Sequence, residues 1–156
     1  MQKIFFLIGF LLLLTSCGGD DDICLNAEST PRLKLKFINA SGQLLRLDSL
    51  YIDVDYGGST LKNIVSQANA DSVFVPMRID ESSYTDIYLR LRKAGNRSKI
   101  RVSYDKKAIY VSPACGFKIN YDNLKSELLQ ANPVQNVEQN QTSLSDESKI
   151  NFYLRF

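Results

Sequence analysis

Histidine and tryptophan are absent from the 156 residues, and cysteine occurs only three times. Without histidine there is no Ser-His-Asp or Cys-His relay, no imidazole metal ligand and no side chain that titrates unperturbed near neutrality. Without tryptophan, stacking on a sugar ring falls to tyrosine. Charge of one sign is missing as well: 19 basic residues stand against 17 acidic ones. That balance exerts no global pull on nucleic acid, so no nucleic-acid partner is expected. No metal site or cofactor is expected either, and the chain reads as a non-enzyme. The one long apolar run, Ile4 to Leu14, covers 11 residues. A membrane-spanning helix needs about 20.

That short run has a different use. Lys3 supplies a positive start, and the run ends in Leu14-Thr15-Ser16-Cys17. This resembles the bacterial lipobox, in which a lipidated cysteine becomes the new N-terminus. Residues 1–16 therefore read as a lipoprotein signal peptide and Cys17 as the lipidation site. One acyl chain holds weakly, at about 0.8 kcal/mol per buried CH₂, so two or three chains, palmitate among them, are needed for a stable anchor. Residues 17–27 read as an acidic flexible tether, because Gly18-Gly19-Asp20-Asp21-Asp22 has nothing to bury. Gly18 differs from the aspartate that retains enteric lipoproteins in the inner membrane, which directs the chain to the outer membrane. Its periplasmic side and the cell surface are both open. Asp20, Asp21 and Asp22 resemble a surface-export signal, with a solvated spacer as the plain alternative.

With Cys17 lipidated, Cys24 and Cys115 remain as an even pair in an oxidising compartment. A disulfide is the default and two buried thiols the alternative. A bridge would close a loop of roughly 90 residues, worth up to ~4.6 kcal/mol in the chain-entropy model.

The remaining chain, residues 28–156, alternates apolar and polar side chains almost throughout. "RLKLKFI", "LYIDVDY", "SVFVPMRI", "DIYLRLRK", "KIRVSY", "AIYVS", "FKINY" and "KINFYLRF" all do so. The pattern predicts one all-β domain, an antiparallel β-sandwich of immunoglobulin-like or Greek-key type with seven to nine strands. Only Leu124 to Ala131 carries helical spacing, which allows at most one short helix. The polar stretch after Pro133 predicts a weak edge strand and a loop.

"TPRLKLKF", "VFVPMR", "YDKKAIYVSPACGFKINY" and the closing "KINFYLRF" together resemble the DUF6452 family of Bacteroidota lipoproteins. The resemblance covers about residues 17–156, and "VSPACGFK" carries most of it. It implies an extracytoplasmic lipoprotein of that phylum and no activity, so no catalytic residue is carried over. The family's two cysteines map onto Cys24 and Cys115.

Candidate sites follow from the strand faces. Taking Gly95-Asn96 as a two-residue hairpin turn places Arg92 opposite Lys99, Arg90 opposite Arg101, and Asp86 opposite Asp105. Like charges facing each other across strands are unfavourable. Either a neighbouring strand neutralises them, with Asp53 and Asp55 as candidates, or an anionic ligand does. The second option makes Arg90, Arg92, Lys99 and Arg101 a possible site for an acidic glycan or lipopolysaccharide phosphate. Tyr51 and Tyr88 on the same faces would then stack on sugar. Reversal of Arg90 and Arg101 is expected to abolish such binding with little loss of stability. Asp53 and Asp55 sit about 6.5 Å apart along a strand, a spacing that overlaps glycosidase carboxylates but arises on any polar strand face. Asp48-Ser49-Leu50 and Asp71-Ser72-Val73 resemble a short O-glycosylation signal with Ser49 and Ser72 as acceptors. The first functional reading is a membrane-anchored module that docks an envelope protein, through a sheet edge or the basic hairpin face.

Overall fold

The computed structural model describes residues 29–156. The expectations for Cys17, Cys24 and Asp20 to Asp22 lie outside these residues. Among the described residues the chain forms β1 (Leu33–Ile38), β2 (Leu47–Asp55), β3 (Lys62–Ala70), β4 (Ser72–Val75), β5 (Tyr84–Arg90), β6 (Ser98–Ser112), β7 (Gly116–Gln130), β8 (Asn136–Gln139) and β9 (Phe152–Arg155). They build two facing sheets, ordered β4-β1-β9-β8 and β3-β2-β5-β6-β7. The all-β sandwich is as expected from the alternation. Its pairs are antiparallel except β1 with β9, which run parallel.

The period-two pattern explains the layers. Leu33, Leu35 and Phe37 of β1 face Leu50, Ile52 and Val54 of β2, Ile87 and Leu89 of β5, and Ile100 and Val102 of β6 in one buried cluster. Phe152 and Leu154 of β9 complete it from the centre of the smaller sheet. The terminal strand is thus an interior strand, and its backbone groups are used on both sides by β1 and β8. β8 is an edge strand, as the polar stretch implied. β3 passes to β4 through Asp71 alone, so one short corner carries the chain between sheets.

Two expectations need correction. The candidate helix Leu124 to Ala131 is not a helix: Leu124 to Gln130 is the end of β7, pairing with β6 through Leu128–Ile100, Glu127–Arg101 and Ser126–Val102. Ladder bonds and the burial of Leu124 outweigh its helical spacing. The β5–β6 turn is also longer than Gly95-Asn96. Residues 91–97 form the connection, and Asp86 pairs with Arg101 instead of Asp105. The register is shifted by four residues. An even shift keeps every apolar side chain on its face. It replaces the like-charge pairs with Asp86 opposite Arg101.

β6 and β7 outrun the sandwich. β5 pairs with β6 only up to Ser103, whereas β6 and β7 pair on to Ser112–Gly116. The distal part is a two-stranded ribbon. Its base is fixed by Tyr104 and Tyr121, whose rings meet edge-on at 4.9 Å and whose hydroxyls both donate to the Arg78 carbonyl. Burial raises both phenols above their usual value, so neither ionises near neutrality.

Gly57 is required by its conformation and by its surroundings. Gly57 has φ +81°, and a Cβ there would lie 2.6 Å from Nη2 of Arg78. Arg78 is held by Asp80 through a 2.7 Å contact, so it does not swing away freely. Gly57→Ala is expected to destabilise by about 1–2 kcal/mol in denaturant titration. Gly58→Ala, which meets nothing within 4 Å, should be near neutral.

Candidate functional site

The outer face of the five-stranded sheet gathers most of the residues that the sequence singled out. β2 supplies Tyr51 and Asp53, β5 supplies Tyr84, Asp86, Tyr88 and Arg90, and β6 supplies Lys99 and Arg101. The two carboxylates lie deepest. Asp86 is 3% exposed and receives Nε and Nη2 of Arg101 at 2.7 and 2.8 Å, and Nζ of Lys99 at 2.9 Å. Asp53 meets Nη1 of Arg90 at 3.1 Å and accepts a 2.8 Å bond from Asn63. Neutralisation by a neighbouring strand is therefore realised for Asp53. Asp55 does not join it: its carboxylate accepts from the Gly57 amide.

The cations also lie over rings. Arg101 sits 4.0 Å from the Tyr84 centroid, Lys99 5.4 Å and Arg97 5.6 Å from Tyr88, and Arg90 5.6 Å from Tyr51. Such contacts are worth about 0.5–1 kcal/mol at exposed sites. Burial drives the Asp86 pKa upward, but Arg101 and Lys99 outweigh it and hold the carboxyl below its ordinary value. The same bonds raise Lys99 and Arg101.

In this arrangement three of the four anion-site candidates have carboxylate partners within the sheet. Arg90, Lys99 and Arg101 come together with Tyr51 and Tyr88, but their charges are held by Asp53 and Asp86. Arg92 lies apart, exposed in the 91–97 loop. Reversing Arg101 would set a second carboxylate against buried Asp86, so its substitution does not leave stability untouched. Tyr84 and Arg97 belong to the face and were not singled out. Tyr84 was legible as the next residue of the Tyr88-Asp86 alternation. Of the glycosylation-like serines, Ser49 is half-buried in β2 and donates to the Leu91 carbonyl, and Ser72 opens β4 and donates to Asp71.

A second feature lies at the side of the sandwich. β3 is the outer strand of its sheet, nine residues long, with Lys62 its one charge and no proline. β4 is the outer strand of the other sheet on the same side. Between them runs a groove of about 440 Å³ lined by Ile64, Val65, Phe74, Pro76 and Arg32 among others. Native sheets usually protect such an edge with charge, proline or a covering loop.

A third feature is where the chain enters. The Ile119 amide on the ribbon donates to the Thr30 hydroxyl at 3.0 Å, so the first described residues lie against β7. No helix among the described residues is long and apolar enough to cross a membrane.

A β-sandwich preceded by a lipidation signal defines a membrane-anchored lipoprotein. Residues 1–17 match the prokaryotic membrane lipoprotein lipid attachment site, which ends on Cys17. Residues 48–156 match the family of unknown function DUF6452, and the chain belongs to that family. No curated protein and no solved structure matches the chain.

Proposed function

We propose that this lipoprotein is a non-enzymatic docking module that binds an envelope protein by adding one of the partner's strands to the β3 edge. The observation that carries this reading is the long, nearly uncharged β3 edge beside its groove. Strand addition draws affinity from main-chain hydrogen bonds and specificity from pockets that take alternate side chains. The groove between Ile64, Val65 and Phe74 offers such pockets. The module stands at the outer membrane of a Bacteroidota cell, with Asp20 to Asp22 as its export signal. A Cys24–Cys115 disulfide ties the tether to the ribbon tip.

Native pull-down after mild crosslinking tests the reading. Ser66→Lys with Ala68→Lys places two charges on exposed positions of β3. One partner is expected at near-stoichiometric yield with the wild-type protein and is lost with the double variant. The variant's stability should change by less than about 0.5 kcal/mol per site. Equal recovery from both proteins would remove β3 as the docking edge.

A second reading, an anionic glycan or lipopolysaccharide ligand, is favoured by the 91–97 loop. There Arg92, Lys93 and Arg97 are exposed, and none is in a salt bridge among the described residues. Reversing these three charges should abolish retention on immobilised lipopolysaccharide. Undiminished retention excludes the loop.

A further inference from the structure

We infer that the β6–β7 ribbon is a membrane-contact arm, whose tip rests in the headgroup region of the bilayer that holds the lipid anchor. Three observations converge on it. The first is chemical. Tyr110 and Phe117 are 57% and 68% exposed, face each other across the ribbon and meet edge-on at 5.4 Å. On the same face Ile119 and Tyr121 continue the strip back to the core, so the apolar surface runs outward from the sandwich. Aromatic rings favour the boundary between water and lipid, where one side can be dry and the other wet.

The second observation is charge. From Lys106 to Tyr121 there are three lysines and no aspartate or glutamate. Lys107 and Lys118 lie on the opposite face of the ribbon from the rings, as the pairing of Ile109 with Lys118 requires. Beyond the paired Asp105 and Asp122 at its base the ribbon is therefore basic, and its outer part attracts an anionic bilayer surface.

The third is the position of the anchor. Thr30 is bonded to Ile119 midway along the ribbon. Cys17 precedes Thr30 by 13 residues, and a flexible chain of that length has a root-mean-square span of about 20 Å. The bilayer is therefore within ordinary reach of the tip. The 91–97 loop lies at the other end of β6, about 45 Å away along the strand, and so points away from the lipid. This inference is independent of β3 docking. Either can fail without the other.

The absence of tryptophan makes the test direct. Full-length, lipidated protein is prepared with Phe117→Trp, Tyr110→Trp or Leu44→Trp, each the sole indole of its chain. Leu44 is 66% exposed and follows the far end of β1, so it serves as the distal reporter. The proteins are inserted in vesicles of phosphatidylethanolamine and phosphatidylglycerol brominated high on the acyl chain. The two arm indoles should be quenched about three-fold more than the Leu44 reporter and should emit at shorter wavelength. Equal quenching at both ends overturns the proposal. So does an arm indole that is shielded without lipid and released on dilution, because that result assigns the arm to a second copy. Tyr110→Trp and Phe117→Trp report independently, so one misfolded variant leaves the other to decide.

Discussion

Asp86→Ala should cost about 2–3 kcal/mol in denaturant unfolding at neutral pH. The carboxylate is almost completely buried, whereas Lys99 and Arg101 retain 25% and 32% of their side-chain exposure. Removing it leaves two half-buried cations side by side with no acid between them. Their partial hydration keeps the loss below the 3–5 kcal/mol of a fully buried pair. The pH dependence follows from the lowered pKa. The folded protein holds Asp86 ionised below the ordinary carboxylate value of about 3.9, so this stabilisation is complete above that value. It is lost as pH falls through the lower, folded-state value. Glu147, bonded to Arg32, and Asp80, bonded to Arg78, act in the same direction. Asp86→Asn should therefore flatten the acid side of the stability profile without abolishing it. An unchanged acid slope would show that Asp86 is not paired in solution. Arg101→Glu should be at least as damaging as Asp86→Ala, and its effect should largely vanish in the Asp86→Asn background.

Phe152→Ala should be the more severe lesion, at about 3–5 kcal/mol, with Tyr153→Ala well under half of that. The two residues are neighbours on β9, but Phe152 is fully buried and Tyr153 only partly. The contrast reports the topology. Were the last strand an outlying edge, both substitutions would be mild. Because β9 lies between β1 and β8, the loss of Phe152 opens a void in the centre of the smaller sheet. A domain of this size has about 5–15 kcal/mol in hand, so the variant should fold near its limit. Thermal melts of the two variants side by side make the comparison.

The faces of the strands were legible and several of their partners were not. Alternation in "LYIDVDY" put Leu50, Ile52 and Val54 inward and Tyr51, Asp53 and Asp55 outward, as found, because strand geometry leaves no other choice. Partner choice depends on charges distant in sequence. Gly95-Asn96 is a sound local turn signal, but it would have forced Arg90 against Arg101. The shifted register places Asp86 there, and a local preference of a few tenths of a kcal/mol yields to that bond. β6 and β7 read as four short segments because Asp105-Lys106-Lys107 looks like a loop. In a ribbon outside the core those polar residues meet water, and the strand simply continues. β3 escaped notice for a related reason: "KNIVSQANA" has no clean alternation, since as an edge strand it buries little beyond Ala70, Ile64 and Val65. The weakest strand in the sequence is thus the one best suited to docking.

The most direct test of β3 docking is a photo-crosslinking amino acid placed at Gln67 of the lipidated protein in its native cell, with a second placed at Gln130 on β7 as control. One adduct of defined mass, formed at Gln67 and absent at Gln130, is expected, and Ser66→Lys with Ala68→Lys should erase it. No adduct at Gln67, or the same adduct from both positions, would contradict docking at the β3 edge.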